Sequence, residues 1–281
     1  MTIAITGATG QLGRLVVREL LRTVPAGDLL ALARSPEKAG DMGIAARQAD
    51  YGQPGTLQAA LAGVHTLLLI SSNEIGQRVT QHRNVVEAAR HAGVKRIVYT
   101  SLLHADTSPL SLAPEHLETE HAIKASGMAY TLLRNGWYVE NHTGAIPGAL
   151  STGLLLGSAG DGRFSAAARA DYAAAAAAVL TGDGHENRTY ELAADTSYTH
   201  AQFAAEVSRQ TGKPVAYKDV PQAEYAQALA DAGVPAPIAQ AIASWDAAAS
   251  RDVLFDDGRE LSRLIGRPTT PLDAVIAQAL A

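Results

Sequence analysis

The chain has 281 residues, enough for one large or two small domains with a substantial core. Its net charge of −5 removes the electrostatic case for nucleic acid or an anionic membrane surface. The absence of cysteine removes disulfides, thiolate nucleophiles, iron–sulfur clusters and cysteine-held zinc together. No apolar run approaches the roughly 20 residues that a membrane-spanning helix needs. The first residues already read as a strand rather than a signal segment, so a cytoplasmic protein is expected.

Thr2 to Thr6 is a short apolar run, the length of a buried strand. Gly7, Gly10 and Gly13 follow, and then LVVRELLRTV, with Leu15, Val16, Glu19, Leu20 and Val24 at helical spacing. Strand, glycine-rich turn and helix in that order form the phosphate-binding corner of a dinucleotide fold. The spacing is G-x-x-G-x-x-G, one residue longer between the first two glycines than the commoner fingerprint. Glycine is needed three times: for a tight turn, for backbone close to the pyrophosphate, and for close packing of helix on strand. The helix N-terminus then offers free N–H groups and a partial positive charge.

A second strand is predicted from Asp28 to Arg34, a short helix from Ser35, and a third strand from Ala45 to Ala49. Thr56–Ala62 reads as a helix stopped by Gly63, and Val64–Ile70 as a strand ending at Ser71-Ser72-Asn73. Gln77–Ala92 is a helix closed by Gly93, a C-terminal glycine signal. Arg96–Thr100 is a strand with Ser101 at its end, Ala113–Ser126 a helix, and Tyr130–Arg134 a further strand. Strand and helix alternate with short connections, so the sheet is expected to be parallel and covered on both faces.

From about Asn135 the rhythm loosens, and Pro147, Gly148, Gly153, Gly157, Gly160 and Gly162 predict a loop-rich stretch. Arg169–Leu180, with six consecutive alanines, reads as a helix packed closely on the sheet. Thr189–Ala193 is one more strand, and Thr199 with Gln202 is a candidate capping box opening a helix to Thr211. A short strand at Val215–Val220 precedes a mostly helical tail. The fold class expected is α/β, a Rossmann-type doubly wound parallel sheet with a smaller α/β C-terminal substrate lobe. The boundaries drawn are 1–140 plus 168–195 for the dinucleotide-binding part and 141–167 plus 196–281 for the lobe.

In such a fold the ligand lies across the C-terminal ends of the strands. The residue ending the second strand is Arg34, where NAD-dependent proteins usually place an acid against the ribose hydroxyls. A guanidinium there suits a 2′-phosphate by charge and by fork geometry, so NADP(H) is the expected cofactor. Asp50 ends the third strand, where it can accept from the adenine amino group or simply form a turn. Ser71, Ser72 and Asn73 fall beside the nicotinamide half, where small polar residues let a cofactor pass or make a turn.

ITGATGQLG, the Arg34 strand end, LLLISS, IVYTSLLHADTSPL and YTLLRNGWYVEN together resemble the NmrA-like branch of atypical short-chain dehydrogenases, notably its quinone-reducing and triarylmethane-dye-reducing members. The resemblance runs over essentially the whole chain, to the terminal LSRLIGRPTTPL. It implies a Rossmann domain with a small substrate lobe, and NADPH as hydride donor. It also implies that the cofactor sits on Gly7, Ala8, Thr9, Gly10, Gln11 and Leu12, on Arg34 and on the Ser71–Asn73 turn. The same resemblance places it against the Gly136–Asn141 segment, including Gly136, Trp137, Tyr138 and Asn141, and near Arg169.

Short-chain dehydrogenases typically carry Tyr-x-x-x-Lys after the fifth strand, the tyrosine acting as general acid. Here the region reads SLAPEHLETEHAIKASG, and that pair is absent. One register puts His116 in place of the tyrosine and Glu120 in place of the lysine. A second, fixed by AIKASGMAYT, puts His116 where related isoflavone-reductase-like enzymes have a catalytic lysine. Either way His116 is the titratable group that falls on the active-site edge. An imidazole of ordinary pKa, about 6.5, would donate or steer a proton near neutrality. No metal is expected: His116 and His121 are five apart, roughly 140° round a helix, whereas zinc pairs sit four apart. Ser101 falls beside the nicotinamide, where it can hydrogen-bond a substrate or merely cap.

Without that dyad the expected reaction is hydride transfer to an acceptor needing little acid help. A quinone yields a phenolate-type anion, with a pKa of about 10 by analogy with tyrosine. Cofactor positioning and a dry apolar pocket then do most of the catalysis. Trp137 and Tyr138 are candidates to stack on the flat ring, or are core aromatics at the lobe boundary. The expected partner is thus a small flat electrophile, with no nucleic acid and no membrane, and a homodimer is compatible with it. Two other readings fit the missing dyad: a non-catalytic NADP(H) redox sensor, and a reductase of cationic triarylmethane dyes.

Overall fold

The computed structural model describes residues 1–281. The first half alternates strand and helix: β1 (Ile3–Thr6), α1 (Gln11–Leu20), β2 (Leu29–Ala33), β3 (Ala45–Gln48), α2 (Pro54–Ala60), β4 (Thr66–Leu69), α3 (Arg78–His91), β5 (Arg96–Leu102), α4 (Ala113–Ala125) and β6 (Ala129–Asn135). The second half runs α5 (Val139–Thr143), α6 (Ile146–Thr152), β7 (Leu154–Gly157), α7 (Arg169–Thr181), β8 (Arg188–Leu192), α8 (His200–Thr211) and β9 (Ala216–Asp219). Four helices close the chain: α9 (Gln222–Asp231), α10 (Ala236–Ala249), α11 (Glu260–Ile265) and α12 (Leu272–Leu280). No helix is long and apolar enough to cross a membrane.

Seven strands form one parallel sheet in the order β3-β2-β1-β4-β5-β6-β8. Ile3 pairs with Leu29 on one side and Thr66 on the other, so the order reverses at β1 and β4, opening a crevice beyond their C-terminal ends. Alternate residues feed two cores, as the period of two requires. Ile3, Ile5, Leu29 and Ala31 point to the face covered by α1 and α7, and Ala4, Leu30 and Leu32 to the face under α2, α3 and α4. In α7 the buried Ala173, Ala175 and Ala176 let that helix approach α1 closely. The buried Asp171 of α7 accepts from the Thr270 amide (2.7 Å) and from Arg267 (2.7 Å), stapling the C-terminal segment to the sheet domain.

The third core gathers Phe164, Tyr198, Phe203 and neighbours from the second half of the chain, with Leu102 and Leu110–Ala113 from the first. There β7 and β9 make a two-stranded parallel sheet. The expected loop-rich stretch after Asn135 is more ordered than its glycines and prolines suggest. Pro147 sits in the first turn of α6, and Gly153, at φ +74°, ends it. Pro147 and Gly153 thus punctuate a short element, whereas Gly160 and Gly162 lie in the irregular segment 158–168, as expected. The short helix expected from Ser35 is a single 3-10 turn, Pro36–Ala39. The Thr199–Gln202 capping box is present, with both reciprocal bonds made. Leu261 of α11 packs into the first core rather than with the rest of the tail.

Candidate active site

At the opening corner Gly7 has φ +58°, and the Gly10 amide donates to the Gly7 carbonyl at 2.9 Å. A Cβ on Gly13 would lie 2.3 Å from that same carbonyl and 2.7 Å from Ala8 Cα, so only glycine lets α1 start this close to β1. Gly10 is extended at the N-cap, with no side chain over the helix end and no acid in the first turn. That leaves the end of α1 as a positive pole of backbone N–H groups. A cavity of about 410 Å³ lies against it, lined by Thr9, Gln11 and Leu12 as well as the glycines, and reaching Arg34 and Asp50. Ala8 belongs to the turn, but its methyl is sealed in the core.

Arg34 is two-thirds exposed at the cavity edge, paired with Glu74 at 2.8 Å. Lys38, which sequence reasoning missed, lines the same cavity and adds a second cation; its signal was its place in the turn just after Arg34. Asp50 lines the cavity too, while its Oδ1 accepts from the Gly52 amide (2.9 Å) in a local turn.

A second cavity, about 600 Å³, shares Leu12 and Ile70–Asn73 with the first, so one groove runs along the strand ends. The Ser71–Asn73 turn between them is pinned from below. Thr100 Oγ1 accepts from the Ser71 amide at 2.9 Å, and Arg78 Nε donates to the Ser72 carbonyl at 2.8 Å. His82 Nε2 accepts from the Ser72 amide at 2.9 Å, which places the ring proton on Nδ1, facing Thr119 Oγ1 at 2.9 Å. Burial first, and the Arg78 charge second, hold His82 down to about 3, so it stays neutral. Arg78 and His82 are four apart on one face of α3, and that spacing was their signal in the sequence.

His116 lines the second cavity, as expected, but in a different electrostatic state. Its Nδ1 lies 2.8 Å from the Tyr99 hydroxyl, and burial, with the Arg78 charge secondary, keeps its pKa well below the ordinary value. Burial also pushes the Tyr99 phenol up, so Tyr99 stays protonated beside Nδ1. His116 Nε2 makes no hydrogen bond within the chain and is not sealed from the cavity. The expectation of an imidazole titrating near neutrality is corrected: burial holds the His116 ring neutral.

Ser101 and Glu120 are joined to each other, a pairing the sequence did not signal. The Ser101 hydroxyl donates to Glu120 Oε1 at 2.6 Å, and Arg134 grips the same carboxylate through Nε (2.9 Å) and Nη2 (2.8 Å). Ser101 lies inside β5, lines the cavity and has its proton committed to Glu120, so toward a substrate it is an acceptor only.

Gly136, Trp137, Tyr138 and Asn141 all line the second cavity, with Arg169. Arg169 Nη2 donates to Asn141 Oδ1 at 2.8 Å, and its guanidinium lies over the Tyr138 ring, 4.8 Å from the centroid. Tyr138 packs edge-on against Tyr172, whereas Trp137 meets Trp245 of α10 edge-on at 5.9 Å. Asn135, missed earlier, is buried in the cavity wall with its side-chain oxygen unpartnered, an acceptor suited to a ligand's donor. Elsewhere in the cavity wall His200 Nε2 lies 2.7 Å from Asp246 Oδ1.

Residues 1–275 match the model of the NmrA-like family. The chain belongs to the NmrA-like family. Among its relatives, quinone oxidoreductase 2 of Escherichia coli strain K12 is 55% identical over 273 residues, covering 96% of each chain. The crystal structure of NADPH-dependent quinone oxidoreductase QOR2 from Escherichia coli, complexed with NADPH, superposes with a TM-score of 0.97 at 53% identity, covering all of both chains. Citrobacter sp. triphenylmethane reductase complexed with NADP(H) gives 0.95 at 41% identity, over 99% of this NmrA-like chain and 100% of that one.

Proposed function

We propose that this protein is an NADPH-dependent reductase that transfers a hydride directly to quinones, without flavin or metal. The observation that carries the reading is the single groove joining the Gly7–Gly13 corner and Arg34 to the largely apolar cavity around His116. The likeness to a quinone oxidoreductase along the full chain supports it. The donor set fits a phosphorylated dinucleotide. The bare α1 N-terminus suits the pyrophosphate, Arg34 and Lys38 the 2′-phosphate, and the unpartnered Asn135 oxygen the carboxamide. Bound there, NADPH supplies the hydride.

The chain's own residues position and shield. Pinned by Arg78 and His82, the Ser71–Asn73 turn sets the passage between the two cavities. In this reading Tyr99 donates to Nδ1, and His116 offers Nε2–H to the acceptor oxygen as negative charge develops on it. A hydroquinone anion, with a pKa of about 10, is then protonated from water, so no ionised acid is required. Trp137 provides a flat wall for the ring. The same wall suits triarylmethane dyes, and the 41% identical dye reductase supports that second acceptor class.

The division into 1–140 plus 168–195 and 141–167 plus 196–281 belongs to this proposal; the third core, centred on Phe164, Tyr198 and Phe203 but sharing Leu102 and Leu112 with the first part, is in its favour. So does a cytoplasmic protein with a small-molecule partner, monomeric or homodimeric. The test mixes pure protein with NADPH and a set of simple quinones and follows the loss of reduced-nicotinamide absorbance. Turnover is expected. NADPH binding without turnover of any quinone or dye would leave the non-catalytic sensor as the better account.

A further inference from the structure

Five large apolar side chains are exposed in this protein: Met1, Leu21, Ile75, Leu154 and Ile238. Two of them, Ile75 (45% exposed) and Ile238 (44%), stand in the wall of the same second cavity. They come from distant parts of the chain, Ile75 from the segment between β4 and α3 and Ile238 from the first turn of α10. A single exposed isoleucine needs no explanation, but an exposed pair at one cavity rim does.

The stripe of α10 that faces the cavity gives the rim a direction. Ile238, Ile242, Trp245 and Asp246 all line it, spaced four, three and one apart along one helical face. Exposure falls along the stripe, from the exposed Ile238 through the half-buried Ile242 and Trp245 to the buried Asp246. Eight residues at 1.5 Å each make this wall about 12 Å long from rim to floor. That is longer than one six-membered ring. The floor is polar, with Asp246 holding His200, itself 6% exposed, and with His116 equally buried. The outer part, at Ile75 and Ile238, is apolar. A molecule matching this gradient has a polar head and an apolar tail.

Resting on the quinone-reductase reading, we infer that the acceptor is a quinone bearing an alkyl or isoprenoid chain. Its ring lies on the floor and its chain leaves between Ile75 and Ile238, along Ile242. The tail binds by burial alone, so its contribution scales with the methylenes covered.

The experiment uses quinones sharing one ring and differing only in a saturated tail, from none to longer than the wall. Two readouts are taken: kcat/KM with NADPH, and Kd from fluorescence quenching of Trp137 and Trp245, the chain's two tryptophans, both in this cavity. Both readouts should improve by up to about fourfold for each methylene buried, then level off once the tail passes the rim. A double variant, Ile75→Ser with Ile238→Ser, should lower kcat/KM for the tailed quinone at least tenfold more than for the tail-less one. Both positions are exposed, so the fold is not at stake. A flat series in both readouts, or equal losses for tailed and tail-less quinones, overturns the tail site. If quenching rises with tail length while no quinone turns over, the tail site stands and the reductase reading falls.

Discussion

His82 should make this protein lose stability in acid well before its carboxylates protonate. Its ring is fully buried, accepts from the Ser72 amide and is held down to about 3, chiefly by burial. In the unfolded chain the same imidazole has its ordinary pKa of about 6.5. The unfolded state therefore binds a proton that the native state refuses, so stability is full above about pH 6.5, falls as the pH drops, and levels off near the folded value of about 3. Between pH 7 and pH 5 that one group costs about 2 kcal/mol. The assay is urea unfolding at both pH values, for the natural protein and for His82→Gln. Glutamine does not titrate, while the buried histidines elsewhere contribute alike to both proteins. The natural protein should lose about 2 kcal/mol more than the variant between the two pH values. Equal losses would mean that His82 is not held neutral, and the account of the Ser71–Asn73 turn would fail with it.

Arg34→Ala should raise the Kd for NADPH about tenfold to a hundredfold and change NADH binding little, measured by titration with each; equal losses would count against the phosphate assignment. Gly13→Ala puts a Cβ 2.3 Å from the Gly7 carbonyl, and should lower the Tm by about 3 to 10 °C. Gly10→Ala, with its nearest contact at 3.2 Å, should cost clearly less in the same melting experiment. His116→Gln should lower kcat with a quinone about tenfold, one neutral hydrogen bond's worth. Because His116 is held well below its ordinary pKa, rates of the natural enzyme should show no inflection near neutrality that the variant lacks. Such an inflection would restore an imidazolium acid.

The parallel sheet, the glycine corner and the cation after β2 were legible in the chain because each rests on local rules. Two-residue alternation sends Ile3 and Ile5 one way and Ala4 the other whatever else is present. The Gly7–Gly13 spacing specifies a turn whose geometry only glycine tolerates. Arg34 follows a strand whose end every doubly wound fold turns toward the ligand. The short elements after Asn135 were hidden because glycine and proline mark the ends of helices as well as loops. What tertiary structure alone decided was the protonation and pairing of the site. His116 becomes neutral because packing buries it and brings the Arg78 charge near. Ser101 gives its proton to Glu120 because β5, α4 and β6 bring Ser101, Glu120 and Arg134 together. His82 and Arg78 find the Ser72 backbone only when α3 docks on the sheet. Local periodicity dictates which way a side chain faces; its dielectric surroundings and its partners come from segments far along the chain, and exist only once those segments have packed.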